Sequence, residues 1–224
     1  MTASTALIVG AGPGLSASLA RRLAADGIGV ALAARSTGKL GELQAQTGAR
    51  AFSCDATDAQ AVAALFDDVT RELGEPDIVI YNASGRVRGA LADLDAREVE
   101  RSLAVTAYGG FLVGQAAARR MLPRGRGVIL FTGASASVKG YAQSAPFAMG
   151  KFALRGLAQS MARELSPLGI QVAHIVIDGV IHVPGRTADP AHPDGMLEPD
   201  AIADTYVQLA RQPRSAWSWE IELR

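Results

Sequence analysis

The chain has 224 residues, and 49% of them are hydrophobic, which is enough to bury one sizeable core and requires no second one. Its 22 Lys and Arg residues balance 22 Asp and Glu residues, and no basic cluster is dense enough to follow a phosphate backbone, so a nucleic-acid partner is not expected. The lone Cys54 cannot form an internal disulfide, and the N-terminal apolar run stops too soon for a signal peptide or a membrane span, so we expect a cytoplasmic protein with no membrane partner.

Short apolar runs alternate with longer segments of helical periodicity along the chain. Such runs are typical of strands that are buried on both faces and are therefore parallel. The first six predicted strands cover 6–9, 29–33, 49–53, 77–81, 128–131 and 172–177. A seventh is predicted at 217–223, after a helix that begins near Pro199. This order predicts a single doubly wound α/β domain over 1–224, with a mainly parallel sheet of about seven strands and helices on both faces.

Residues 178–198 form the one irregular stretch, which is rich in Pro, Gly, His and Asp and too long for an ordinary connection in a compact domain. We predict a mobile substrate loop there, over the carboxyl edge of the sheet. The stretch contains His182, Arg186 and His192, but no recognisable specificity pattern. Because the two histidines lack a convincing ligand set, no metal is expected.

A glycine-rich segment follows the first predicted strand and opens the first helix: Gly10, Gly12, Pro13, Gly14 and Leu15. Glycines at these positions permit a tight turn and let backbone N–H groups approach a pyrophosphate, whose charge the helix N-terminus favours. The alternative is a sharp connection between strand and helix with no ligand. The βαβ context favours the nucleotide, and with it a Rossmann-like dinucleotide-binding domain.

The end of the second predicted strand indicates which nucleotide is bound. An acidic residue there would accept hydrogen bonds from the ribose hydroxyls of NAD, but the chain has Arg35 and Ser36 instead. The Arg35 guanidinium is suited to the 2′-phosphate of NADP, with the Ser36 hydroxyl assisting. A solvated arginine at the strand end is the alternative. We therefore predict NADP(H) in preference to NAD(H).

The chain resembles the short-chain dehydrogenase/reductase family along essentially its whole length. The resemblance rests on the glycine segment and on three further motifs, Asp55-Ala-Thr-Asp58, Tyr81-Asn-Ala-Ser84 and Phe147-x-x-x-Lys151. The family's Thr-Gly-x-x-x-Gly-x-Gly loop matches as Val9, Gly10, Gly14 and Ser16, so its first and last positions depart from the pattern.

The resemblance implies contacts with the adenosine half of the cofactor. Asp55, with Ala56 beside it, is expected to contact adenine. The segment Asn82, Ala83 and Ser84 matches the family's Asn-Ala-Gly and is expected to lie along the adenosine ribose and to support the central strand. The simpler interpretation is an asparagine whose side chain hydrogen-bonds the backbone of the turn at the strand end, and it is compatible with that role.

The resemblance also implies a changed catalytic group. The family uses Asn, Ser, Tyr and Lys, and the corresponding positions here hold Thr106, Ala134, Phe147 and Lys151, so only the lysine survives. In the family the tyrosine gives a proton to the carbonyl oxygen, the lysine lowers the tyrosine's pKa, and the serine hydrogen-bonds the substrate. Phenylalanine has no ionisable proton. We therefore expect intact dinucleotide binding and the loss of carbonyl reduction by the usual route.

The segment after the sixth predicted strand completes the expected cofactor site. Asp178-Gly179-Val-Ile181 stands where the family has Pro-Gly-x-Ile. The resemblance implies that Gly179 and Ile181 lie beside the nicotinamide, with a carboxylate at the proline position.

Other groups could replace the missing proton donor. Ser135 lies one residue from the serine position, Tyr141 and Ser144 precede the helix of Phe147, and Lys151 could supply a proton if burial depresses its pKa. Each has a simpler interpretation. The Ser135 side chain lies on the opposite face, Tyr141 is a surface hydroxyl, Ser144 caps the helix, and Lys151 binds the cofactor ribose. Phe147 itself lies on an apolar helical stripe and is open to interpretation as core or subunit interface.

Three functions remain open: an NADP-dependent oxidoreductase with a nonstandard donor and an unknown carbonyl or alcohol ligand, a catalytically silent dinucleotide-binding sensor or partner subunit, and a structural partner without nucleotide. The resemblance further implies a homodimer or homotetramer, paired through the helix around 97–121 and the helix after Phe147. Small residues there would let backbones approach closely or would pack inside one subunit: Ala104, Ala107, Gly109, Gly110 and Gly114.

Overall fold

The computed structural model describes residues 4–183 and 195–224. The strands are β1 (Thr5–Val9), β2 (Gly29–Ala34), β3 (Arg50–Ser53), β4 (Pro76–Tyr81), β5 (Gly127–Thr132), β6 (Ile170–Ile177), β7 (Val180–Ile181), β8 (Met196–Leu197) and β9 (Glu220–Leu223). The α-helices are α1 (Leu15–Ala25), α2 (Gly41–Thr47), α3 (Ala59–Leu73), α4 (Ala96–Leu103), α5 (Gly109–Met121), α6 (Ala145–Leu165) and α7 (Pro199–Ala210). A π-helical segment, Ala104–Tyr108, joins α4 to α5.

Seven strands form one sheet in the order β3-β2-β1-β4-β5-β6-β9, and every pairing in it is parallel. The predicted doubly wound, mainly parallel sheet of about seven strands is therefore confirmed. The strand order reverses between β1 and β4, so the connections that leave these two strands run to opposite sides of the sheet. A crevice at the carboxyl ends of β1 and β4 follows from that reversal.

The sheet separates two apolar layers because side chains alternate between its faces along each strand. In β1, Leu7 and Val9 pack with residues of α3, α5 and α6, whereas Ala6 and Ile8 pack with residues of α1, α2 and α7. All four side chains are buried, as the continuous apolar run predicts for a central parallel strand.

The described ends of the segment 178–198 are paired rather than irregular. Val180 and Ile181 of β7 pair in parallel with Met196 and Leu197 of β8 as a separate two-stranded sheet. The predicted substrate loop also includes Arg186 and His192, which lie outside the described residues. Within the described ranges, no helix combines the length and the hydropathy that a membrane span requires.

The last strand is shorter than predicted. Strand β9 begins at Glu220, not at 217, because Gln212 binds the preceding residues in a turn. Its backbone oxygen accepts a hydrogen bond from Trp217 Nε1 at 3.0 Å, and its side-chain oxygen accepts one from the Ser218 amide at 2.8 Å. The alternating pattern includes Trp217 and Ser218, which bond Gln212, whereas the Trp219 carbonyl oxygen already accepts a hydrogen bond from the His174 amide of β6 at 2.8 Å.

The glycines of α5 pack inside the subunit. A Cβ on Gly110 would meet Leu154, and one on Gly114 would meet Met161 and Phe131. Gly109 lies against Tyr81 in the same way. These three small residues thus serve the close packing of α5 against β4, β5 and α6, and they do not form a surface for close approach between subunits.

Candidate functional site

Two adjoining cavities lie along the carboxyl edge of the sheet, and Asn82 and Ser84 line both of them. The first cavity, of about 660 Å³, lies at the ends of β1 to β4. It is lined by Val9, Gly10, Ala11, Ala33, Ala34, Arg35, Ser36, Cys54, Asp55, Ala56, Thr57, Asn82, Ala83, Ser84 and Val105. This is the crevice that the strand order creates.

Gly10 makes the turn after β1 possible. Its φ of +90° is unfavourable for side-chain-bearing residues, and a Cβ there would overlap the backbone of Ala83. The amides of Gly10 and Ala11 donate to the Ala33 carbonyl oxygen at 2.9 and 3.0 Å. Gly10 therefore shapes the turn, and its own amide is used inside the fold.

The rest of the glycine segment is open. No heavy atom lies within 4 Å of the position that a Cβ would take on Gly12 or Gly14. Pro13 is exposed, and Gly14 is the N-cap residue of α1, whose first residue Leu15 lines the second cavity. The start of α1 thus faces the crevice with room for a bulky group.

A buried serine ties the glycine turn to the end of β4. Ser16 Oγ donates to the Gly10 carbonyl oxygen at 2.9 Å and accepts a hydrogen bond from Asn82 Nδ2 at 2.7 Å. The backbone amide of Asn82 in turn donates to the Val9 carbonyl oxygen at 2.8 Å. Sequence analysis treated Ser16 only as a departure from a glycine, and its polar character next to Asn82 was the available signal.

Arg35 and Ser36 are exposed at the outer wall of the first cavity. Asp55 faces the same cavity, and one of its oxygens accepts hydrogen bonds from the Thr57 amide at 2.9 Å and hydroxyl at 2.8 Å. These two bonds, with a smaller contribution from Arg35, lower the pKa of Asp55, so the carboxylate is ionised at neutral pH. The cavity therefore offers both a cationic and an anionic group.

Cys54 also lines this cavity, directly after β3. Burial, together with the charges of Asp55 and Asp58, raises the pKa of its thiol to about 11. The thiol is protonated at neutral pH and is a weak nucleophile.

The second cavity, of about 570 Å³, lies at the ends of β4, β5 and β6. It is lined by Leu15, Asn82, Ser84, Arg86, Arg88, Thr132, Gly133, Ala134, Phe147, Lys151, Ile177, Gly179, Val180 and Ile181. The structure thus brings Lys151, Phe147 and Ala134 together with Gly179 and Ile181, as the sequence analysis expected of neighbours in one site.

Lys151 is the buried cation of this cavity, only 3% exposed. Its Nζ donates to the Thr132 carbonyl oxygen at 2.6 Å. Burial, with a smaller effect of the Arg86 charge, lowers the pKa of Lys151 to about 7. The ammonium and the neutral amine forms of Lys151 are therefore both populated near neutral pH.

Phe147 contacts two of the three cationic residues of the cavity. Its ring centroid is 4.6 Å from Arg86 Cζ and 5.8 Å from Lys151 Nζ. It belongs to the buried stripe of α6 with Leu154 and Ala158, so within this chain it packs as a core residue. The ring contributes contact with cations and carries no hydroxyl.

Thr106 does not line either cavity. It is fully buried in the π-helical segment, and its Oγ1 accepts a hydrogen bond from the Gly85 amide at 2.8 Å. A Cβ on Gly150 would lie 2.8 Å from the Thr106 Cβ, so α6 packs tightly on this side chain. Thr106 holds the loop after β4 and the helices in place.

The hydroxyls considered as substitute donors point elsewhere. Ser135 begins a 3-10 turn, and its hydroxyl interacts with the Asp178 carboxylate. Tyr141 is 46% exposed, and neither it nor Ser144 lines the second cavity. Ser144 is the N-cap residue of α6 but makes no side-chain capping bond. The Thr132 hydroxyl lies 2.8 Å from Tyr206 Oη.

Asp178 is turned away from the cavity as well. Its carboxylate accepts a hydrogen bond from Lys139 Nζ at 2.8 Å, and this bond is the main reason that its pKa is lowered. Among the described residues, no group of three or more His, Cys, Asp and Glu side chains is arranged to hold a metal ion.

Arg86 and Arg88 are the charged residues of the second cavity that sequence analysis missed. They follow the Asn82 segment, within the connection between β4 and α4. Two arginines spaced by two residues after a strand end were the available signal. Which surface they face depends on the path of this connection, and the local sequence pattern does not define that path.

Comparison with known proteins gives consistent results. Residues 4–189 match the sequence profile of the family described as short chain dehydrogenase. A short-chain dehydrogenase from Rhodopseudomonas palustris is 35% identical, with a TM-score of 0.85 over 99% of this chain and 98% of that chain. A metagenomic short-chain oxidoreductase, solved in complex with NADP, is 28% identical, with a TM-score of 0.86 over 100% of this chain and 99% of that chain.

A third relative is named for binding. The cyclic-di-GMP-binding biofilm dispersal mediator protein of Escherichia coli (strain K12) is 31% identical over 189 residues, which cover 84% of this chain and 77% of that protein.

Proposed function

The chain belongs to the short chain dehydrogenase family, and from that premise we propose that it binds NADP(H) along its two cavities. The observation that carries the proposal is the continuous crevice at the β1/β4 reversal, with the Gly10 turn above it and both cavities meeting at Asn82 and Ser84. The metagenomic relative solved with NADP, 28% identical over nearly its whole length, supports this ligand.

The residues of the chain divide the proposed site into three parts. Arg35, Ser36, Asp55 and Ala56 hold the adenosine end, with Ala83 and Ser84 along its ribose. The open segment of Gly12, Pro13, Gly14 and Leu15 takes the pyrophosphate. Lys151, Gly179 and Ile181 line the nicotinamide end. Each part fits the charge and the space that the structure offers there.

The preference for NADP(H) over NAD(H) is part of the proposal. Strand β2 ends at Ala34 and is followed by Arg35 and Ser36, so this position has no carboxylate to accept hydrogen bonds from the ribose hydroxyls of NAD. Arg35 makes no ion pair with the other described residues, which leaves its guanidinium for a 2′-phosphate.

We further propose that carbonyl reduction by the family's tyrosine route is lost. When bound, NADPH supplies a hydride, and the protein must supply a proton to the carbonyl oxygen. Phe147 and Ala134 stand at the tyrosine and serine positions and carry no hydroxyl. The Thr132 hydroxyl is paired with Tyr206. On this account the protein is a silent NADP(H)-binding sensor or partner subunit, and a relative named for ligand binding supports that class of role.

A second candidate function is favoured by Lys151. This residue is buried at the nicotinamide end, and its pKa is lowered to about 7, which suits a general acid near neutral pH. An oxidoreductase that uses the Lys151 ammonium as its proton donor is therefore the alternative to the silent protein. Its substrate would be an unknown carbonyl or alcohol.

A homodimer or homotetramer remains part of the proposal. Large apolar residues are exposed on two helices, each with 40% to 52% of its surface accessible. They are Tyr108 and Phe111, around the start of α5, and Met149 and Phe152, on α6. These two helices are the ones through which the family resemblance implies pairing. Light scattering tests this, and a monomer of 23.3 kDa at micromolar concentration would contradict it.

Cofactor titration tests the central proposal. The fluorescence of NADPH and of NADH is followed as each is titrated with the unmodified protein. We expect saturable binding of both, with NADPH bound more tightly. No binding of either nucleotide would overturn the proposed function, and equal affinities would remove the NADP preference while leaving dinucleotide binding intact.

A further inference from the structure

The second cavity carries an excess of positive charge. Arg86 and Arg88 line it together with Lys151, and no Asp or Glu is among the described residues that line it. Neither arginine forms an ion pair with another described residue. Glu98 lies on a neighbouring cavity that Arg86 also borders, but its carboxylate faces Arg101 at 3.8 Å. The cationic groups of the second cavity are thus left without an anionic partner from the described chain.

The loop that bears the two arginines is held at both ends. The Gly85 amide donates to Thr106 Oγ1 at 2.8 Å, and the Gly89 amide donates to the Gln143 carbonyl oxygen at 3.2 Å. A Cβ on Gly85 would lie 2.6 Å from Ser102 Cα, so the backbone there packs directly on α4. The loop therefore presents Arg86 and Arg88 from a fixed backbone.

Phe147 fixes the side chain of Arg86. The guanidinium carbon lies 4.6 Å from the centre of the ring, within the range of a cation–π contact. This contact orders a long side chain that is otherwise exposed, and it reduces the entropy that Arg86 loses when it binds a ligand. The aromatic ring at position 147 thus has a use that needs no hydroxyl.

These contacts determine which ligand suits the cavity. Two guanidinium groups and a lysine around one space repel one another, and an anion between them removes that repulsion. Guanidinium groups bind carboxylate and phosphate oxygens in a bidentate manner. The cavity of about 570 Å³ has to hold the nicotinamide end of the cofactor as well, so the second ligand must be small.

We propose that the second cavity binds a small organic anion, a carboxylate or a phosphate ester, through Arg86 and Arg88, with Phe147 as the residue that positions Arg86. The inference rests on the proposed function for the placement of the anion beside the nicotinamide. It deepens that function by assigning the charge class of the second ligand.

Matched probes test this assignment. Acetoacetate is compared with methyl acetoacetate, and dihydroxyacetone phosphate with dihydroxyacetone, by saturation-transfer NMR titration of the full chain with and without NADPH. We expect at least one anionic probe to bind about tenfold more tightly than its neutral twin, as a charge-assisted bidentate contact allows. The tighter of the two anions identifies a carboxylate or a phosphate ligand.

Variants connect the preference to the proposed residues. The double change Arg86→Ala, Arg88→Ala should abolish the preference for the anion, whereas Arg50→Ala, which removes an exposed arginine at the start of β3, should retain it. Phe147→Leu should weaken anion binding several-fold because the aromatic contact is lost, and Phe147→Tyr should preserve it. Circular dichroism establishes that each variant is folded.

Two results would overturn the inference: equal binding of anionic and neutral twins, or an unchanged preference in the Arg86→Ala, Arg88→Ala variant. The NADPH titration of the same samples separates this failure from that of the proposed function. If NADPH does not bind but the anion preference still requires the two arginines, the anion site stands and the cofactor proposal falls.

Discussion

The two cavities differ in what they retain from the family pattern. The first cavity has a glycine turn that only glycine fits, an asparagine tied into it through Ser16, and Arg35 at its outer wall. The second has the lysine, but Phe147 and Ala134 where the family pattern has hydroxyl groups. On the proposed function, one end of the crevice binds the dinucleotide, and the other lacks the family's usual proton donor.

This difference is possible because separate elements build the two ends. The turn after β1 and the ends of β2, β3 and β4 form the first cavity, whereas α6 and the segments at and directly after the ends of β5 and β6 supply most of the second. A change in α6 leaves the Gly10 turn untouched. Binding and proton transfer can therefore change independently in this fold, and four predictions test that separation.

The largest effect is expected from restoring the hydroxyls. Phe147→Tyr with Ala134→Ser should increase NADPH-dependent reduction of small aldehydes, ketones and quinones by at least about 100-fold, the lower end of what a general acid contributes. The new phenol would lie one turn before Lys151, whose charge favours the phenolate. Initial rates of NADPH oxidation are the measurement.

The gain should depend on the lysine. Adding Lys151→Ala to the double variant should remove most of it, whereas adding Tyr141→Phe, on an exposed side chain outside the second cavity, should not. A double variant that binds NADPH but is no faster than the unmodified protein would show that the second cavity lacks more than the two hydroxyls. Thr106→Asn is a poor further addition, because Gly150 leaves little space around Thr106.

The next effect concerns the first cavity. Gly10→Ala should lower the free energy of unfolding by roughly 2–4 kcal/mol, since alanine is strained at a φ of +90° and its methyl group overlaps Ala83. Gly12→Ala is the matched control, because its methyl group enters open space. Urea denaturation measures both, and equal stabilities would contradict the role given to the Gly10 turn.

Burial of Lys151 predicts a pH dependence of stability. Its pKa falls from 10.5 in the unfolded chain to about 7 in the fold, so between these values the unfolded state binds more protons and stability rises with pH. From pH 7 to pH 9 the unfolding free energy of the unmodified protein should rise by on the order of 2 kcal/mol relative to Lys151→Met. Each pH unit over which only the unfolded state holds the proton contributes about 1.4 kcal/mol.

Denaturant melts at both pH values, without cofactor, provide this comparison. A constant difference between the two proteins across this range would mean that Lys151 is charged throughout in the fold. The second cavity would then be better solvated than the 3% exposure of Lys151 indicates.

The smallest effect is expected at Arg35. Arg35→Ala should reduce the preference for NADPH over NADH by about tenfold, the value of one charge-assisted contact with the 2′-phosphate. Affinity for NADH should change little. Arg50→Ala serves as the control for a general loss of positive charge. If NADH binding falls as much as NADPH binding, Arg35 acts on a part that the two cofactors share.

Much of the fold was readable from the sequence because buried parallel strands have a distinctive pattern. The continuous apolar run of β1 and the alternation of strands with helical segments predict the sheet. The boundaries of β9 and the pairing of β7 with β8 were not predicted, because both depend on contacts outside the segments themselves. Gln212 shortens β9 through bonds that no periodicity indicates.

The same distinction holds within the candidate site. Gly10 was identified from the glycine segment after the first strand, and Lys151 and Phe147 were identified from the family resemblance. Arg86 was not, since its proximity to Phe147 depends on how Gly85 and Gly89 fix the loop after β4. Thr106 was placed at the position of a lost catalytic member, and its hydroxyl accepts a hydrogen bond from the Gly85 backbone amide, a role that no motif indicates. Spacing locates a residue on an element, and tertiary packing decides which partner its polar atoms meet.

A single-turnover experiment asks directly whether the bound cofactor transfers its hydride. The unmodified protein is saturated with NADPH, binding is verified by cofactor fluorescence, and the complex is mixed with a panel of small aldehydes, ketones and quinones while the absorbance of NADPH is followed. The account predicts bound cofactor that is oxidised very slowly or not at all. Oxidation at an ordinary enzymatic rate, about 1 s⁻¹ or faster, would contradict it and would establish a proton donor other than the missing tyrosine.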